Sequence, residues 1–62
     1  MRIIAVDKKV FWRIVKTKKW YKLQCFNGFW WSTVSKTNAE EYVDDKVESW
    51  IVDFEMIQVE EI

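Results

Sequence analysis

The chain has 62 residues, of which 50% are hydrophobic and 32% charged. This composition is that of one small globular domain and excludes a disordered chain, and a domain of this length has little room for an enclosed active site. One cysteine excludes an internal disulfide, and the apolar stretch from Ile3 to Val6 is too short for a signal peptide or a membrane span, which predicts a cytoplasmic protein.

The formal net charge of zero hides an uneven distribution along the chain. Residues 1–38 hold nine basic side chains against Asp7 alone, and residues 39–62 hold nine acidic side chains against Lys46 alone. Such asymmetry indicates a surface for a polyanion, an acidic interaction surface, or both. The alternative is that the two halves neutralise each other across the fold, as in other small domains with mixed surface charge.

The first half of the chain is rich in β-branched and aromatic residues, which favour strands over helix. This pattern predicts strands near residues 2–6, 10–17, 19–26 and 29–35. The sequence has no proline, no Gly/Ser linker and no internal repeat, so residues 1–62 are predicted to form a single domain.

The step Asn27-Gly28 lies between two apolar runs and is a strong hairpin signal. Both residues tolerate the positive φ that a two-residue type I′ turn requires. Such a turn places Phe26 opposite Phe29 and directs Trp30 towards the other face of the sheet.

Alternation along the strands then divides the side chains between two faces of a sheet. One face carries no charge and is predicted to be the core: Val10, Trp12, Ile14, Tyr21, Leu23, Cys25, Trp30 and Val34. On the other face, aromatic rings alternate with basic and polar groups: Phe11, Arg13, Val15, Trp20, Lys22, Gln24, Phe26, Phe29, Trp31 and Thr33. A turn near Thr17-Lys18 places Arg13 opposite Lys22 on this second face.

The period changes after Ser35, where Ala39, Val43, Val47 and Trp50 recur at helical spacing. Thr37 or Asn38 is the predicted N-cap of this helix. The segment "FEMIQVEE" then predicts a last strand whose inward face the sequence leaves open. The predicted fold is therefore α+β, with one helix on a mainly antiparallel sheet of about five strands. A small curled barrel is the alternative.

The residue types present exclude several kinds of chemistry. The chain has no histidine, and its single cysteine, Cys25, cannot build a zinc site. The serines have no candidate base, and the helical carboxylates lack a loop that would wrap a cation. We therefore predict a non-enzyme without a catalytic residue, a cofactor or a metal.

Two surfaces are predicted to bind partners. The first is the aromatic and basic face of the sheet, comprising Phe11, Arg13, Trp20, Lys22, Phe26, Phe29 and Trp31. The second is the acidic face of the helix, comprising Glu40, Glu41, Asp44, Asp45 and Glu48. So many rings exceed the apolar surface that a monomer normally exposes. They are covered by the chain itself, by a second copy in a homodimer, by a protein, or by single-stranded nucleic acid that stacks on them.

Several short motifs resemble those of the small RNA polymerase inhibitors of coliphages. The matching positions, spread over about four-fifths of the chain, are Lys8, Lys9, Phe11, Trp12, Thr37, Glu40, Phe54, Glu55 and Val59. The resemblance implies a strand-strand-helix-strand layout and a small viral protein that binds and blocks a host protein. This chain differs from that family in an added Asn-Gly hairpin and an acidic last strand.

These observations favour a non-enzymatic protein-binding module that acts as a phage-type inhibitor of a host nucleic-acid enzyme. One alternative is a protein that binds single-stranded nucleic acid through the basic aromatic face. A second alternative is a structural homo-oligomer. No membrane partner is predicted.

Overall fold

The computed structural model describes residues 1–39 and 45–61 of the chain. The strands are β1 Arg2–Val6, β2 Trp12–Lys16, β3 Trp20–Phe26, β4 Trp31–Asn38 and β5 Ile57–Gln58, and the helix α1 is Asp45–Asp53. The strands form one antiparallel sheet in the order β4-β3-β2-β1-β5. This confirms the predicted α+β class and its antiparallel five-stranded sheet. The sheet is open, with β4 and β5 at its edges, so the alternative of a curled barrel is wrong.

The connection from β1 to β2 is held by the side chain of Asp7. Its Oδ1 accepts hydrogen bonds from the backbone N–H groups of Phe11 at 2.8 Å and Trp12 at 3.2 Å. Val10 has a φ of 59°, a left-handed conformation that a β-branched residue rarely adopts. Strand β2 therefore begins at Trp12 rather than at residue 10. Val10 is 53% exposed and does not lie in the core as predicted.

The prediction of a two-residue turn at Asn27-Gly28 is wrong, because the loop spans residues 27–30. The Oδ1 atom of Asn27 accepts hydrogen bonds from the N–H groups of Phe29 at 3.0 Å and Trp30 at 3.1 Å. Gly28 supplies the positive φ of 102° that the loop requires. Trp30 therefore lies in the loop, where it is 62% exposed, and the prediction that it faces the core is also wrong.

The strand registers differ from the predicted ones by an even number of residues over most of the hairpins. Ile14 lies opposite Leu23, and Phe26 lies opposite Trp31 instead of Phe29. A shift by two residues leaves every side chain on its predicted face, because side chains alternate with a period of two.

A β-bulge interrupts this regularity in β4. Thr33 lies opposite Gln24 and Ser35 lies opposite Leu23, so Val34 is an extra residue between them. Val34 is 58% exposed and is not a core residue as predicted. The residues of β4 beyond the bulge change face relative to the prediction.

A single hydrophobic cluster is buried in the described residues. Its members are Ile4, Ala5, Ile14, Tyr21, Leu23, Val47, Trp50 and Met56. The predicted charge-free face supplies three of them. Half-buried Trp12 and Phe54 pack against the cluster, with their ring centres 4.6 Å apart. Phe54 and Met56 therefore mark the inward side of the last segment, whereas Ile57 is 54% exposed.

The helix agrees with its predicted period where it is described. Val47 and Trp50 are its buried residues, as the spacing predicts. The predicted helical positions 40–44 lie outside the described residues. Thr37 and Asn38 belong to β4, so neither is an N-cap of α1 as predicted.

Candidate functional site

The sheet face opposite the hydrophobic cluster is called the outer face. On strands β2, β3 and β4, the side chains of this face are Arg13, Val15, Trp20, Lys22, Gln24, Phe26, Trp31, Thr33 and Lys36. The rings do not form one row, because Trp20 begins β3 and Phe26 ends it, six residues or about 20 Å apart. The outer face therefore carries two separate candidate sites.

The middle of the outer face is more buried than predicted. Val15 lies between Ile3 and Lys22 on the neighbouring strands and has no exposed surface. Gln24 is only 9% exposed. Both side chains lie on the predicted second face but are buried there, so the centre of the face separates its two ends.

One end of the sheet carries five aromatic rings, which we call the aromatic tip: Phe11, Phe26, Phe29, Trp30 and Trp31. Phe26 donates a backbone hydrogen bond to the carbonyl of Phe11 at 2.8 Å, which joins the β1–β2 connection to the end of β3. The rings of Phe26 and Trp31 lie 5.2 Å apart, and those of Phe29 and Trp30 lie 6.2 Å apart.

Three rings of the aromatic tip are more than half exposed. Phe29 is 86% exposed, Trp30 62% and Phe11 52%. The backbone N–H groups of Phe29 and Trp30 donate to Oδ1 of Asn27, so the exposed rings are attached to a defined loop backbone. A large apolar surface on an ordered loop is typical of a binding site rather than of a free monomer surface.

A polar chain crosses the outer face beside the aromatic tip. The Nε–H of Arg13 donates to Oε1 of Gln24 at 2.8 Å, and Nε2 of Gln24 donates to Oγ1 of Thr33 at 3.2 Å. The guanidinium of Arg13 also lies 4.2 Å from the ring centre of Trp31, a cation–π contact. Burial lowers the pKa of Arg13 from its ordinary value, but an arginine remains charged at neutral pH.

The other end of the outer face is basic, and we call it the lysine end. Lys22 on β3 lies directly opposite Lys36 on β4, and the ammonium group of Lys36 lies 4.4 Å from the ring centre of Trp20. The predicted pair of Arg13 and Lys22 is wrong, because Arg13 lies opposite Gln24. The like-charge pair of the outer face is therefore Lys22 and Lys36.

The structure divides the residues predicted for the aromatic face. Phe11, Phe26, Phe29 and Trp31 belong to the aromatic tip with Arg13 beside them, whereas Trp20 and Lys22 belong to the lysine end. Sequence reasoning missed Trp30 and Lys36. The Asn27 side chain, which favours a local turn with its own backbone, was the signal for Trp30. No comparable signal marks the bulge that brings Lys36 to this face.

The predicted acidic helix face is described in part. Asp45 and Glu48 lie in the first turn of α1 and are exposed. Glu40, Glu41 and Asp44 lie outside the described residues. Direct contact between the basic and acidic halves occurs where Arg2 meets Glu60 at 3.8 Å, with both side chains about half exposed.

An open cleft of about 190 Å³ is lined by Asp7, Lys8, Lys9, Phe54 and Glu55. Its lining combines charged side chains of both signs with the ring of Phe54. Within residues 1–39 and 45–61, no group of three or more histidine, cysteine or acidic side chains is placed to hold a metal ion. No helix in that part of the chain is long and apolar enough to span a bilayer.

Comparisons with protein-family models, with curated proteins and with solved structures found no match to this chain.

Proposed function

We propose that this chain is a non-enzymatic protein-binding module that anchors on its partner through the aromatic tip. The observation that supports this most strongly is the pair Phe29 and Trp30, which are 86% and 62% exposed on a loop fixed by hydrogen bonds. Rings of this size each bury about 150–250 Å² on contact. Binding energy at protein interfaces concentrates in such aromatic anchors.

The position of α1 leaves the outer face available in this proposal. We infer that the helix packs on the sheet face that carries Ile14, Tyr21 and Leu23, because Val47 and Trp50 belong to the same buried cluster. A helix on that face covers the core. The opposite face and the aromatic tip are then open to a partner.

The positive charge beside the aromatic tip indicates what kind of surface the partner presents. The guanidinium of Arg13, 4.2 Å from the ring centre of Trp31, places positive charge beside the rings. A complementary surface is an apolar pocket with carboxylates on its rim, because a polar and charged rim around an apolar centre is the usual anatomy of an interface. The competing possibility is that a second copy of this chain binds the aromatic tip. Its acidic residues lie mainly in α1 and the segment after it.

We further propose that the partner is a host nucleic-acid enzyme and that the chain acts as a phage-type inhibitor of it. The support is the resemblance of its short motifs to the coliphage polymerase inhibitors. The exposed carboxylates Asp45 and Glu48 of α1 add to it, because negative charge steers a protein towards the basic groove of such an enzyme.

Capture from a bacterial lysate, with and without nuclease, tests this proposal when variants are compared. The double variant Phe29→Ala, Trp30→Ala removes the exposed rings, and Val52→Ala removes a 74% exposed apolar side chain from α1 as the control. We expect a nuclease-resistant partner that the wild type and Val52→Ala retain and that the double variant loses.

Two outcomes would overturn the proposal. The first is equal capture by the double variant. The second is a concentration-dependent homodimer in sedimentation analysis that the double variant abolishes, because the tip is then the interface of a structural homo-oligomer.

A further inference from the structure

The lysine end of the outer face contains a like-charge pair that the described residues do not compensate. Lys22 and Lys36 lie directly opposite each other on β3 and β4. Like charges in this position destabilise a sheet unless an anion lies between them. Neither lysine forms a salt bridge within the part of the chain that the structure describes, and Lys36 is exposed.

An aromatic ring is fixed beside this pair. Trp20 is two residues before Lys22 on the same strand face, a distance of about 6.6 Å along the strand. Two hydrogen bonds to Thr17 hold the backbone of Trp20. The N–H of Trp20 donates to Oγ1 of Thr17 at 3.1 Å, and its carbonyl accepts from the N–H of Thr17 at 2.8 Å. The half-buried ring of Trp20 is therefore presented on a rigid strand end next to two ammonium groups.

The turn before Trp20 adds more positive charge. Lys18 and Lys19 are both exposed in this turn. The N–H of Ala39 donates to the carbonyl of Lys19 at 2.8 Å, which ties the turn to the end of β4. Four lysines and one tryptophan thus surround the same end of the β3–β4 pair.

We propose that the lysine end binds single-stranded nucleic acid, with a phosphate between Lys22 and Lys36 and a base stacked on Trp20. This inference goes beyond the proposed function and uses different residues. The ammonium groups can hold a phosphate as point charges, and the ring of Trp20 beside them favours a ligand that carries a flat base next to its phosphate. A single strand is the occupant because only unpaired bases present a free face to an aromatic ring.

The contact between Lys36 and Trp20 gives this site a simple mode of binding. In the free protein the ammonium group of Lys36 lies over the ring. A phosphate that draws Lys36 towards Lys22 uncovers the ring, and a neighbouring base takes the place of the ammonium group. The contacts are to phosphate and to the face of the base, so binding is independent of sequence.

Fluorescence anisotropy with a labelled oligothymidylate of about 12 nucleotides tests the inference, because known single-strand sites span about 4–16 nucleotides. The test variant is Lys22→Gln, Lys36→Gln. The matched control is Lys8→Gln, Lys9→Gln, which removes the same charge from the cleft near the opposite end of the sheet. We expect the test variant to bind at least about tenfold more weakly at 50 mM salt and the control to bind within about twofold of wild type.

Salt dependence and fluorescence give two further readouts. Loss of the phosphate bound between the two lysines is expected to reduce the slope of log K against log salt by about 0.7, the contribution of one neutralised phosphate on a single strand. Trp20→Leu is expected to weaken binding at least about fivefold and to remove most of the tryptophan quenching. The Phe29→Ala, Trp30→Ala variant is expected to bind the oligonucleotide normally, which separates this inference from the proposed function.

Three results overturn the inference. They are the absence of oligonucleotide binding at low salt, an equal loss in the test and control variants, and equal competition by polyglutamate. The second result shows diffuse attraction without a site. The third identifies the lysine end as a surface for an acidic protein.

Discussion

The guanidinium of Arg13 lies 4.2 Å from the ring centre of Trp31, although the two residues belong to strands separated by β3. Gln24 on β3 lies opposite Arg13 and accepts its hydrogen bond, whereas Trp31 lies opposite Phe26, so the contact between Arg13 and Trp31 is diagonal. The side chain of Trp31 on the edge strand β4 thereby contacts the central strand β2. This contact connects the stability of the outer face with the shape of the aromatic tip.

The contact between Arg13 and Trp31 is expected to be measurable as a coupling energy. In a double-mutant cycle with Arg13→Met and Trp31→Leu, the coupling in the free energy of urea unfolding should be about 0.5–1 kcal/mol. Trp12, whose ring contacts Phe54, supplies the control pair. Arg13→Met with Trp12→Leu should show no coupling beyond about 0.5 kcal/mol, and similar coupling in both cycles would contradict the assignment.

The Asn27 loop should depend on an oxygen acceptor and not on charge. Asn27→Ala removes the acceptor of two N–H groups and should lower the free energy of unfolding by about 0.5–1.5 kcal/mol. Asn27→Asp keeps the oxygen and should remain within about 0.5 kcal/mol of wild type. Both are read from denaturant midpoints. A loss as large in Asn27→Asp as in Asn27→Ala would show that these hydrogen bonds do not hold the loop.

Val10 is a site where a substitution should stabilise the protein. Its φ of 59° is unfavourable for a β-branched residue, and the side chain is 53% exposed. Val10→Asn should therefore raise the free energy of unfolding by about 1 kcal/mol, because asparagine tolerates this region. Val52→Asn in the exposed face of α1 is the control and should not stabilise. A destabilised Val10→Asn protein would mean that the side chain of Val10 makes a needed contact.

Truncation of the buried cluster should cost more than the same change at the surface. Ile14 has no exposed surface, and Ile14→Val should lower the free energy of unfolding by about 0.5–1.5 kcal/mol. Val52→Ala, also an apolar truncation, should change it by less than about 0.5 kcal/mol. The small substitution at Ile14 keeps the chain folded, so that urea melts of both variants can be compared directly.

Binding rates should separate the aromatic tip from the acidic helix residues once the protein partner is isolated. Trp30→Ala should raise the dissociation rate with little effect of salt, because it removes an apolar anchor that becomes buried in the complex. Asp45→Lys with Glu48→Lys should slow association and change its salt dependence, because exposed charges steer encounter. Surface plasmon resonance measures both rates. Loss of binding at all salt concentrations only in the charge variant would make electrostatic mimicry the mechanism.

The sequence predicted the fold class and most side-chain faces because these depend on a period of two. Ile14, Tyr21 and Leu23 are buried as expected even though both hairpin registers moved by two residues. The faces are wrongly predicted where one extra residue shifts the alternation of side chains along a strand. An extra residue at Val34 inverts the remainder of β4, and no residue type specifies a bulge at that position.

For the candidate sites, the sequence predicted which types of residue form a binding face but not how these residues are grouped. The alternation of rings and cations indicated a binding face. The place of Trp30 in the aromatic tip follows from the true length of the Asn27 loop, and that of Lys36 in the lysine end follows from the bulge. The burial of Val15 and Gln24 between the two ends required the pairing of neighbouring strands, which a single strand pattern does not contain.

The two edges of the sheet have very different lengths, since β4 has eight residues and β5 has two. Growth of a fibre by edge-to-edge pairing requires that each added molecule present a fresh edge long enough for the next one. Among the described residues only β4 provides an edge of that length, and its bulge and Lys36 already hinder pairing. Any association through β4 should therefore stop at a dimer, because the dimer has no long free edge to which a third molecule could add.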